Sequence, residues 1–283
     1  MKVWVNGRLS EPDAARISPF DHGFTVGDGV FETCKVVGGE PFALTRHLRR
    51  LDRSAAGLGL PTIDHELVRT GIKELLAAEP DAGRLRITVT GGPGPLGSDR
   101  GDEGITLTLA VSPESAWEEA TSVAVVPWVR NERSAVAGLK TTSYAENVVA
   151  LDRAHRHDSS EAILANTVGD LCEGTGSNIF VVVDGQLLTP SLSGGCLAGI
   201  TRELVLEWCG AQEAELPLAS LRDVHEAFLT SSTRDVQPIR RIVWSMGQGA
   251  EGGGADVQPL DVGPVTTRAR ATFAERAAAS LDP

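Results

Sequence analysis

The chain has 283 residues, which is too long for one small core and suits two domains of ordinary size. Its net charge of −12 argues against a general role in binding nucleic acids or membrane surfaces. No apolar run approaches the roughly 18 residues that a membrane span needs. The first residues, Met1 to Gly7, are typical of a strand and a turn, so we expect no signal sequence and a cytoplasmic location.

The cysteines and histidines show no arrangement typical of a metal site. The four cysteines are far apart in the sequence, and none has the paired spacing that zinc sites use. We therefore predict no metal, and no disulfide in a reducing compartment. The cysteines are Cys34, Cys172, Cys196 and Cys209.

Strand and helix patterns mix along the chain without the regular period of a doubly wound parallel sheet, so we predict a mixed α/β fold. The predicted strands are residues 3–9 (a hairpin), 30–37, 84–90, 105–111, 121–128, 161–166, 179–189 (a hairpin), 227–230 and 236–244. The predicted helices are residues 44–58, 65–78, 143–156, 201–209 and 264–280. Residues 113–118 predict a linker between a first domain, residues 1–112, and a second domain, residues 119–283.

Two glycine-rich segments interrupt these patterns. Residues 91–104 contain a literal GxGxxG at Gly92 to Gly97, but prolines fill it and a strand pattern follows where a dinucleotide site needs a helix. We predict instead that this segment is a flexible edge of a cleft, and that residues 248–258 are mobile.

Lys140 stands out among the four lysines of the chain. It lies in Leu139-Lys-Thr-Thr-Ser-Tyr144, between small and hydroxyl residues and ahead of a long helical pattern. A lysine, unlike an arginine, can lose its proton, attack an aldehyde and hold it as a Schiff base. A surface lysine is the alternative, and the residues that follow decide between the two.

A pyridoxal phosphate site also needs a partner for the pyridine nitrogen and a donor to the ring oxygen. Glu173 could keep the nitrogen protonated through a charge-assisted hydrogen bond worth about 1.5–3 kcal/mol. Tyr144, the only tyrosine, would share a face with Lys140 if a helix begins there. A solvated turn glutamate and a half-buried aromatic residue are the alternatives.

The segment Leu197 to Glu203 has the features of a phosphate cradle. Gly199 allows close approach of the backbone, and Thr201 supplies a hydroxyl at a helix start whose N–H groups attract anions. Leu197 could form an apolar wall for a ring, although core packing and an ordinary helix start explain the same residues. A second arm could be Thr230 to Thr233, which could equally form a serine/threonine turn.

The order of these motifs resembles the class IV pyridoxal-phosphate aminotransferase family, which contains branched-chain aminotransferases, D-amino-acid aminotransferases and 4-amino-4-deoxychorismate lyases. The motifs cover nearly the whole chain. They are GDGVFET at Gly27 to Thr33, RLDRS at Arg50 to Ser54, the lysine segment, EGTGSNIF at Glu173 to Phe180, LAGITR at Leu197 to Arg202, and TSST…P at Thr230 to Pro238.

The resemblance implies a two-domain α/β subunit, with a small N-terminal α/β sandwich and a larger C-terminal pseudo-barrel. It also implies a homodimer, with pyridoxal 5′-phosphate in the cleft between the domains. Lys140 becomes the Schiff-base lysine and Glu173 the partner of the pyridine nitrogen. One departure is Ser143, where lyase-like members often carry asparagine. The cofactor-binding residues implied are Arg50, Lys140, Tyr144, Glu173, Leu197, Gly199, Ile200, Thr201, Ser231 and Ser232.

The resemblance to the lyases is closest at Phe31-Glu32-Thr33, because these members use a threonine near the reacting substrate. Arg86 falls where lyases have a basic residue facing the substrate, and Lys35 could add a second cation for the two carboxylates of aminodeoxychorismate. Against the lyases, the segment from Gly94 to Gly101 lacks the Arg-Gly-Tyr that some of them carry. On the threonine and the two cations, we expect a lyase that forms 4-aminobenzoate and pyruvate for folate synthesis, with Lys140 and Thr33 as catalytic residues.

Two alternatives stay open at this point. One is an aminotransferase of the same family that acts on branched-chain or D-amino acids. The other is a non-catalytic homologue that binds the cofactor, which the presence of both Lys140 and Glu173 disfavours.

Overall fold

The computed structural model describes residues 1–245 and 256–283, and these form two compact units. The first comprises Met1–Ala116, Leu139–Tyr144 and Ser280–Pro283, and the second comprises Trp117–Gly138 and Ala145–Ala279. The predicted linker, residues 113–118, contains the first crossing between them. The sequence patterns do not predict the two returns to the first unit, one of which carries Lys140.

The first unit contains six strands and three helices among the residues described. In chain order they are β1 (Val3–Val5), β2 (Arg8–Ser10), α1 (His22–Thr25), β3 (Gly29–Val37), β4 (Glu40–Pro41), α2 (Leu44–Leu58), α3 (His65–Ala78), β5 (Arg84–Thr90) and β6 (Thr106–Ser112). The strands form one sheet in the order β2-β1-β6-β5-β3-β4, with every neighbouring pair antiparallel.

The alternation of β3 and β5 separates an apolar core from a polar face. Leu85 and Ile87 of β5 and Cys34 of β3 are buried in a core that also contains the apolar faces of α2 and α3. The intervening residues point to the other face of the sheet, where Thr33 of β3 is the direct neighbour of Arg86 of β5. The register thus gathers polar side chains on one face without interrupting the core.

Local signals set the ends of α2 and α3. Asp64 caps α3, because its carboxylate accepts hydrogen bonds from the N–H groups of Glu66 and Leu67. Gly59 ends α2 in the left-handed conformation, with φ +69°, which glycine adopts at little cost. The predicted bounds of both helices are confirmed.

The second unit contains a nine-stranded mixed sheet and three helices among the residues described. Its elements are β7 (Thr121–Arg130), α4 (Ala145–His155), β8 (Glu161–Asn166), β9 (Leu171–Gly174), β10 (Asn178–Val183), β11 (Gln186–Pro190), α5 (Ile200–Cys209), β12 (Gln212–Ala214), β13 (Glu226–Ser231), β14 (Asp235–Trp244), β15 (Asp256–Pro259) and α6 (Pro264–Ala279). The strand order is β12-β11-β10-β13-β14-β7-β8-β9, and β15 pairs with β14.

The neighbouring strands β10 and β13 present two different faces. Ile179 and Leu229, which are direct neighbours, lie in the main apolar core of the unit. Phe180 and Phe228, also direct neighbours, are on the other face and stack with ring centroids 4.9 Å apart. The alternation therefore places Asn178 and Thr230 on the same face as the stacked phenylalanines.

The mixed α/β class predicted from the sequence is confirmed, and several local features differ from the predictions. Glu173 lies in β9, a strand that is absent from the predicted elements, and not in the solvated turn that was its alternative. The short helix α1 is likewise absent from the predicted elements, and α4 begins two residues later than predicted. Of the segment predicted to be mobile, residues 256–258 belong to β15, and the rest lies outside the described residues.

None of the helices in residues 1–245 and 256–283 is long and apolar enough to cross a membrane.

Candidate functional site

The backbone of Lys140 is fixed against both β3 and α2 in the first unit. The N–H of Phe31 donates to the carbonyl oxygen of Lys140 at 3.0 Å, and the N–H of Thr142 donates to that of Gly29 at 2.8 Å. The Lys140 N–H donates to the hydroxyl of Ser54 on α2 at 3.1 Å. The lysine segment therefore runs beside β3 as a short extended piece of chain.

The side chain of Lys140 lies beside two aromatic rings. Its Nζ is 3.3 Å from the hydroxyl oxygen of Tyr144 and 4.4 Å from the ring centroid of Phe31. The two rings meet edge to face at 5.0 Å. The guanidinium carbon of Arg86 lies 3.3 Å from the Phe31 centroid, so two cations contact the same ring.

The side chains of Lys140 and Tyr144 meet, but not on one helical face. That arrangement required a helix that begins at Lys140, and α4 begins only at Ala145. The contact arises because the extended piece ends in a bend at Thr142, with the Tyr144 N–H donating to the Thr142 carbonyl at 2.9 Å.

Glu32 is a fully buried carboxylate on the core side of β3. Arg50 of α2 donates to both of its oxygens, at 2.8 Å and 2.6 Å, and Nδ1 of His47 lies 2.6 Å from Oε2. Burial by itself would raise the pKa of Glu32, but the charge and hydrogen bonds of Arg50, with a contribution from His47, lower it to about 2. Burial lowers the pKa of His47, and Glu32 opposes that effect.

Arg50 is therefore part of a buried ion pair, a contact that the sequence patterns do not predict. The role of Arg50 in holding a phosphate stays a prediction. A bidentate pair leaves other N–H bonds of the guanidinium pointing away from the carboxylate, because an arginine carries five such donors.

The glycine-rich segment 91–104, predicted to be flexible, is attached to the first unit through Arg100. Its guanidinium donates to both oxygens of Asp28 at 2.6 Å, and to the carbonyls of Leu58 and Gly59 at the end of α2. The hydrogen bond from Arg100 is the main cause of the lowered pKa of Asp28. The segment is thus tied to the start of β3 and to the end of α2, the two elements that also contact the lysine segment.

In the second unit, both carboxylate oxygens of Glu173 accept hydrogen bonds. Nε of Arg130 donates to Oε1 at 3.0 Å, and the backbone N–H of Leu197 donates to Oε2 at 2.9 Å. Arg130 is oriented in turn by Asn147 on α4, whose Oδ1 accepts from Nη1 at 2.8 Å. These contacts fix both the position and the rotation of the carboxylate.

Glu161 holds the turn that follows Glu173. Its buried carboxylate accepts hydrogen bonds from the Thr175 N–H at 3.0 Å, the Thr175 hydroxyl and the Ser177 hydroxyl at 2.9 Å. Asn147 closes the arrangement by donating to the carbonyl of Thr175. Sequence reasoning missed Arg130, Asn147 and Glu161. Of these, Asn147 could have been found, because it is a polar residue on the predicted helix only seven positions after Lys140.

The start of α5 has the shape expected of an anion site. Gly199 is its N-cap and offers no side-chain cap, while Ile200 and Thr201 are buried. A Cβ on Gly199 would lie 2.0 Å from Oδ1 of Asn178, so the close packing requires glycine. The first N–H groups of a helix have no partner within the helix, and a buried start normally requires another acceptor.

The second predicted arm is partly engaged in its own turn. The hydroxyl of Ser231 accepts a hydrogen bond from the N–H of Arg234 at 3.2 Å, as in a serine/threonine turn. Ser232 follows β13 directly. Both residues are consistent with the alternative of a local turn, and their role in binding phosphate stays a prediction.

The candidate residues fall into two groups, one in each unit. The first unit contains Thr33, Lys35, Arg50, Arg86, Lys140 and Tyr144. The second unit contains Glu173, Leu197, Gly199, Ile200, Thr201, Ser231 and Ser232. No cluster of histidine, cysteine, aspartate and glutamate within the two described ranges could hold a metal ion.

Comparison with known proteins identifies one family. The family model of the class IV amino-transferases matches residues 29–242. A putative branched-chain-amino-acid aminotransferase of Methanocaldococcus jannaschii is 31% identical, over 86% of this chain and 88% of the relative. The aminodeoxychorismate lyase of Bacillus subtilis is 32% identical, over 85% and 86%. A branched-chain aminotransferase from Thermoproteus uzoniensis, solved with norvaline, has a TM-score of 0.85 at 29% identity, covering 97% of this chain and 94% of that one.

Replacing Glu32 tests the buried ion pair. We expect Glu32→Gln to lower the free energy of unfolding at pH 7 by about 3–5 kcal/mol, because Arg50 is left buried without its counter-charge. The pKa of Glu32 is depressed, so its stabilisation is present above the ordinary value of 4.5 and is lost as the pH falls towards about 2. The difference between the parent and the variant should therefore shrink over that interval.

Urea unfolding at several pH values between 7 and 3 measures this difference. The exposed Glu40 provides the control, since Glu40→Gln should change stability little at any of these pH values. A parent and a Glu32→Gln variant with parallel pH profiles would contradict the pairing.

Replacing Arg130 tests the support of Glu173. With Glu173 as the predicted partner of the pyridine nitrogen, we expect Arg130→Gln to weaken binding of pyridoxal phosphate by about tenfold, the equivalent of one charge-assisted hydrogen bond. Arg130→Lys should not restore it, because an ammonium lacks the planar fork that serves Glu173 and Asn147 together. Fluorescence titration of the apoprotein with cofactor measures the affinity.

The matched control is Arg133→Gln, because the Arg133 side chain is 85% exposed and lies three residues away. Full affinity in Arg130→Gln, or equal losses in both variants, would show that Arg130 does not support the cofactor.

Proposed function

The chain belongs to the class IV aminotransferase family, whose members depend on pyridoxal phosphate, and we propose that it is the lyase that converts 4-amino-4-deoxychorismate to 4-aminobenzoate and pyruvate. The observation that carries this proposal is the polar face of β3 and β5. There Thr33 is the direct neighbour of Arg86, and Arg86 and Lys140 contact the same phenylalanine ring.

The residues present fit the cofactor. When bound, pyridoxal phosphate supplies an aldehyde that captures amines and a ring that accepts electrons from the amine-bearing carbon. Lys140 would hold the aldehyde, and Glu173, fixed by Arg130 and the Leu197 N–H, would keep a proton on the pyridine nitrogen.

The phosphate would bind at the start of α5. The backbone N–H groups of Ile200 and Thr201 would donate to it, and the positive end of the helix dipole would favour its charge. Ser231, Ser232 and Arg50 would complete its ligands, and Leu197 would pack on the ring. Tyr144 would donate its phenolic proton to the oxygen of the ring.

The reaction needs no second substrate, since the atoms of 4-aminobenzoate and pyruvate add up to those of aminodeoxychorismate. Lys140, as a neutral amine, would remove the proton from the amine-bearing carbon of the substrate. The six-membered ring of the substrate becomes aromatic when its carbon–oxygen bond to the enolpyruvyl group breaks. The hydroxyl of Thr33 stabilises the departing enol oxygen by donating a hydrogen bond. The enol then takes a proton on its terminal carbon and becomes pyruvate.

The substrate carries two carboxylates, which an acidic protein must attract with local cations. Arg86 and Lys35 supply them from the polar face, Arg86 on β5 and Lys35 two residues after Thr33 on β3. Stacking on Phe31 restricts the rotamers of the guanidinium, so less conformational entropy is lost when a carboxylate binds.

An aminotransferase for branched-chain or D-amino acids is the second candidate. The relative from Methanocaldococcus jannaschii supports it, because this chain is 31% identical to that putative aminotransferase and 32% identical to the Bacillus subtilis lyase. An arginine beside the lysine would serve the single carboxylate of an amino acid as well.

The proposal also includes a homodimer in the cytosol. Within the described residues, Cys34, Cys172, Cys196 and Cys209 are free thiols, and a reducing compartment keeps thiols in that state. Light scattering coupled to gel filtration would give the mass in solution, and a single-chain mass of 29.8 kDa would remove the dimer from the proposal.

The activity itself separates the two candidates. We expect the purified protein to release 4-aminobenzoate and pyruvate in equal amounts from enzymatically generated aminodeoxychorismate, and Lys140→Ala to release neither above background. The aminotransferase alternative predicts instead that D-alanine or L-leucine converts the bound cofactor to its amine form, and that a keto acid reverses the change. The absorbance spectrum of the cofactor measures both conversions. That result without 4-aminobenzoate would replace the lyase by the alternative.

Replacing Arg86 tests its contact with the substrate. We expect Arg86→Met to raise KM for aminodeoxychorismate by about tenfold, as one lost charge-assisted hydrogen bond would. The effect on kcat should be smaller, because methionine still packs on Phe31 and Lys140 is untouched. Steady-state kinetics measure both constants, and a fall in kcat at constant KM would assign Arg86 to the chemical step instead. Arg8→Met, at an exposed arginine of β2, controls for general loss of charge and should change neither constant.

A further inference from the structure

We propose that Thr230 is a further phosphate-binding residue, whose hydroxyl donates a hydrogen bond to the cofactor phosphate at the start of α5. This inference rests on the proposed function. The sequence offers only the range Thr230 to Thr233 as a possible second arm, and the family resemblance implies Ser231 and Ser232 within it, so the role of the Thr230 hydroxyl is additional.

The first observation is a buried hydroxyl without a partner. Thr230 is 1% exposed, and its Oγ1 has no hydrogen-bond partner among the residues that the structure describes. A hydroxyl removed from water without a hydrogen bond is destabilising, so such groups are rare in folded proteins. A ligand that accepts this hydrogen bond would remove the cost.

The second observation is the direction of the side chain. Thr230 of β13 is the direct neighbour of Asn178 on β10, so the two side chains lie on the same face of the sheet, with Cβ atoms about 5 Å apart. Asn178 contacts the start of α5, because its Nδ2 donates to the Leu197 carbonyl at 2.9 Å and its Oδ1 touches the space beside Gly199. Thr230 therefore faces the same place.

The third observation is that the start of α5 lacks a cap. Its N-cap is Gly199, which has no side-chain acceptor for the first N–H groups, and the first two residues of the helix are buried. Donors from the helix and from Thr230 thus converge, and the chemical group that satisfies all of them is an anion with several acceptor oxygens. A phosphate monoester has that chemistry.

The arrangement predicts opposite effects of one substitution on two properties. Thr230→Val keeps the shape and suits a strand, but it removes the hydroxyl. The apoprotein should become more stable, because a buried polar group without a partner is gone, while cofactor affinity should fall. A buried threonine that serves only packing could show the same gain in stability, but its replacement would leave cofactor affinity unchanged.

The test compares three full-length variants. Thr230→Val removes the hydroxyl, Thr230→Ser keeps it, and Thr266→Val is the matched control. Thr266 is also a fully buried threonine whose Oγ1 has no partner within the described ranges. Its N–H bonds to Glu226, at the far end of β13 and roughly 13 Å along the strand from Thr230.

Thermal unfolding of each apoprotein and fluorescence titrations with pyridoxal phosphate and with pyridoxal give the measurements. For Thr230→Val we expect the apoprotein midpoint to rise by about 2–4 °C. Its dissociation constant for pyridoxal phosphate should rise about tenfold, while that for pyridoxal, which lacks the phosphate, stays within about twofold. Thr266→Val should raise the midpoint without changing either constant, and Thr230→Ser should resemble the parent.

Several results would overturn the inference alone. They are a Thr230→Val variant that binds the cofactor as tightly as the parent, one that loses pyridoxal and pyridoxal phosphate equally, and one whose apoprotein is less stable than the parent. A parent protein that binds no pyridoxal phosphate would instead overturn the proposed function.

Discussion

The cost of burying the charge of Glu32 constrains the first unit. A carboxylate that is fully buried in the sheet must be paired, and both partners, Arg50 and His47, lie on α2. The ion pair therefore fixes the position of α2 along β3. Ser54 lies one turn after Arg50 on the same helix and accepts the backbone N–H of Lys140. The position of the Lys140 segment thus depends on an ion pair that lies on the opposite face of β3.

The second unit solves the same problem with a chain of hydrogen bonds. Glu173 is buried, and each of its oxygens accepts from a fixed donor, Arg130 or the Leu197 N–H. Asn147 joins Arg130 to the turn after Glu173, and the carboxylate of Glu161 accepts hydrogen bonds from that turn. A carboxylate restrained at so many points cannot rotate to follow a ligand. Such preorganisation suits a rigid ligand such as the ring of the proposed cofactor, because the cost of ordering the carboxylate is met during folding.

Local patterns predicted the elements well, and they failed where a residue depends on distant partners. Helices α2 and α3 match their predicted bounds because amphipathic spacing, the Asp64 cap and Gly59 all act within one turn. The burial of Glu173 could not be predicted, since its partner Arg130 is 43 positions away and no spacing rule connects them. Lys140 and Tyr144 do meet, but through an irregular segment held by β3 and not through a helix. The candidate residues came from motif order, and their supporting contacts came only from the fold.

The alternation of β3 shows how one scaffold could serve both a lyase and an aminotransferase. Glu32 and Cys34 point into the core and fix the strand, while Thr33 and Lys35 point to the face where Arg86 and the lysine amine lie. Substitutions on the second face change the contacts to a substrate without touching the ion pair or the core. In the proposed site, the roles of Lys140 and Glu173 would be common to both reactions. Overall identity to a lyase or to an aminotransferase therefore carries little information about the reaction, and the few side chains on this face carry most of it.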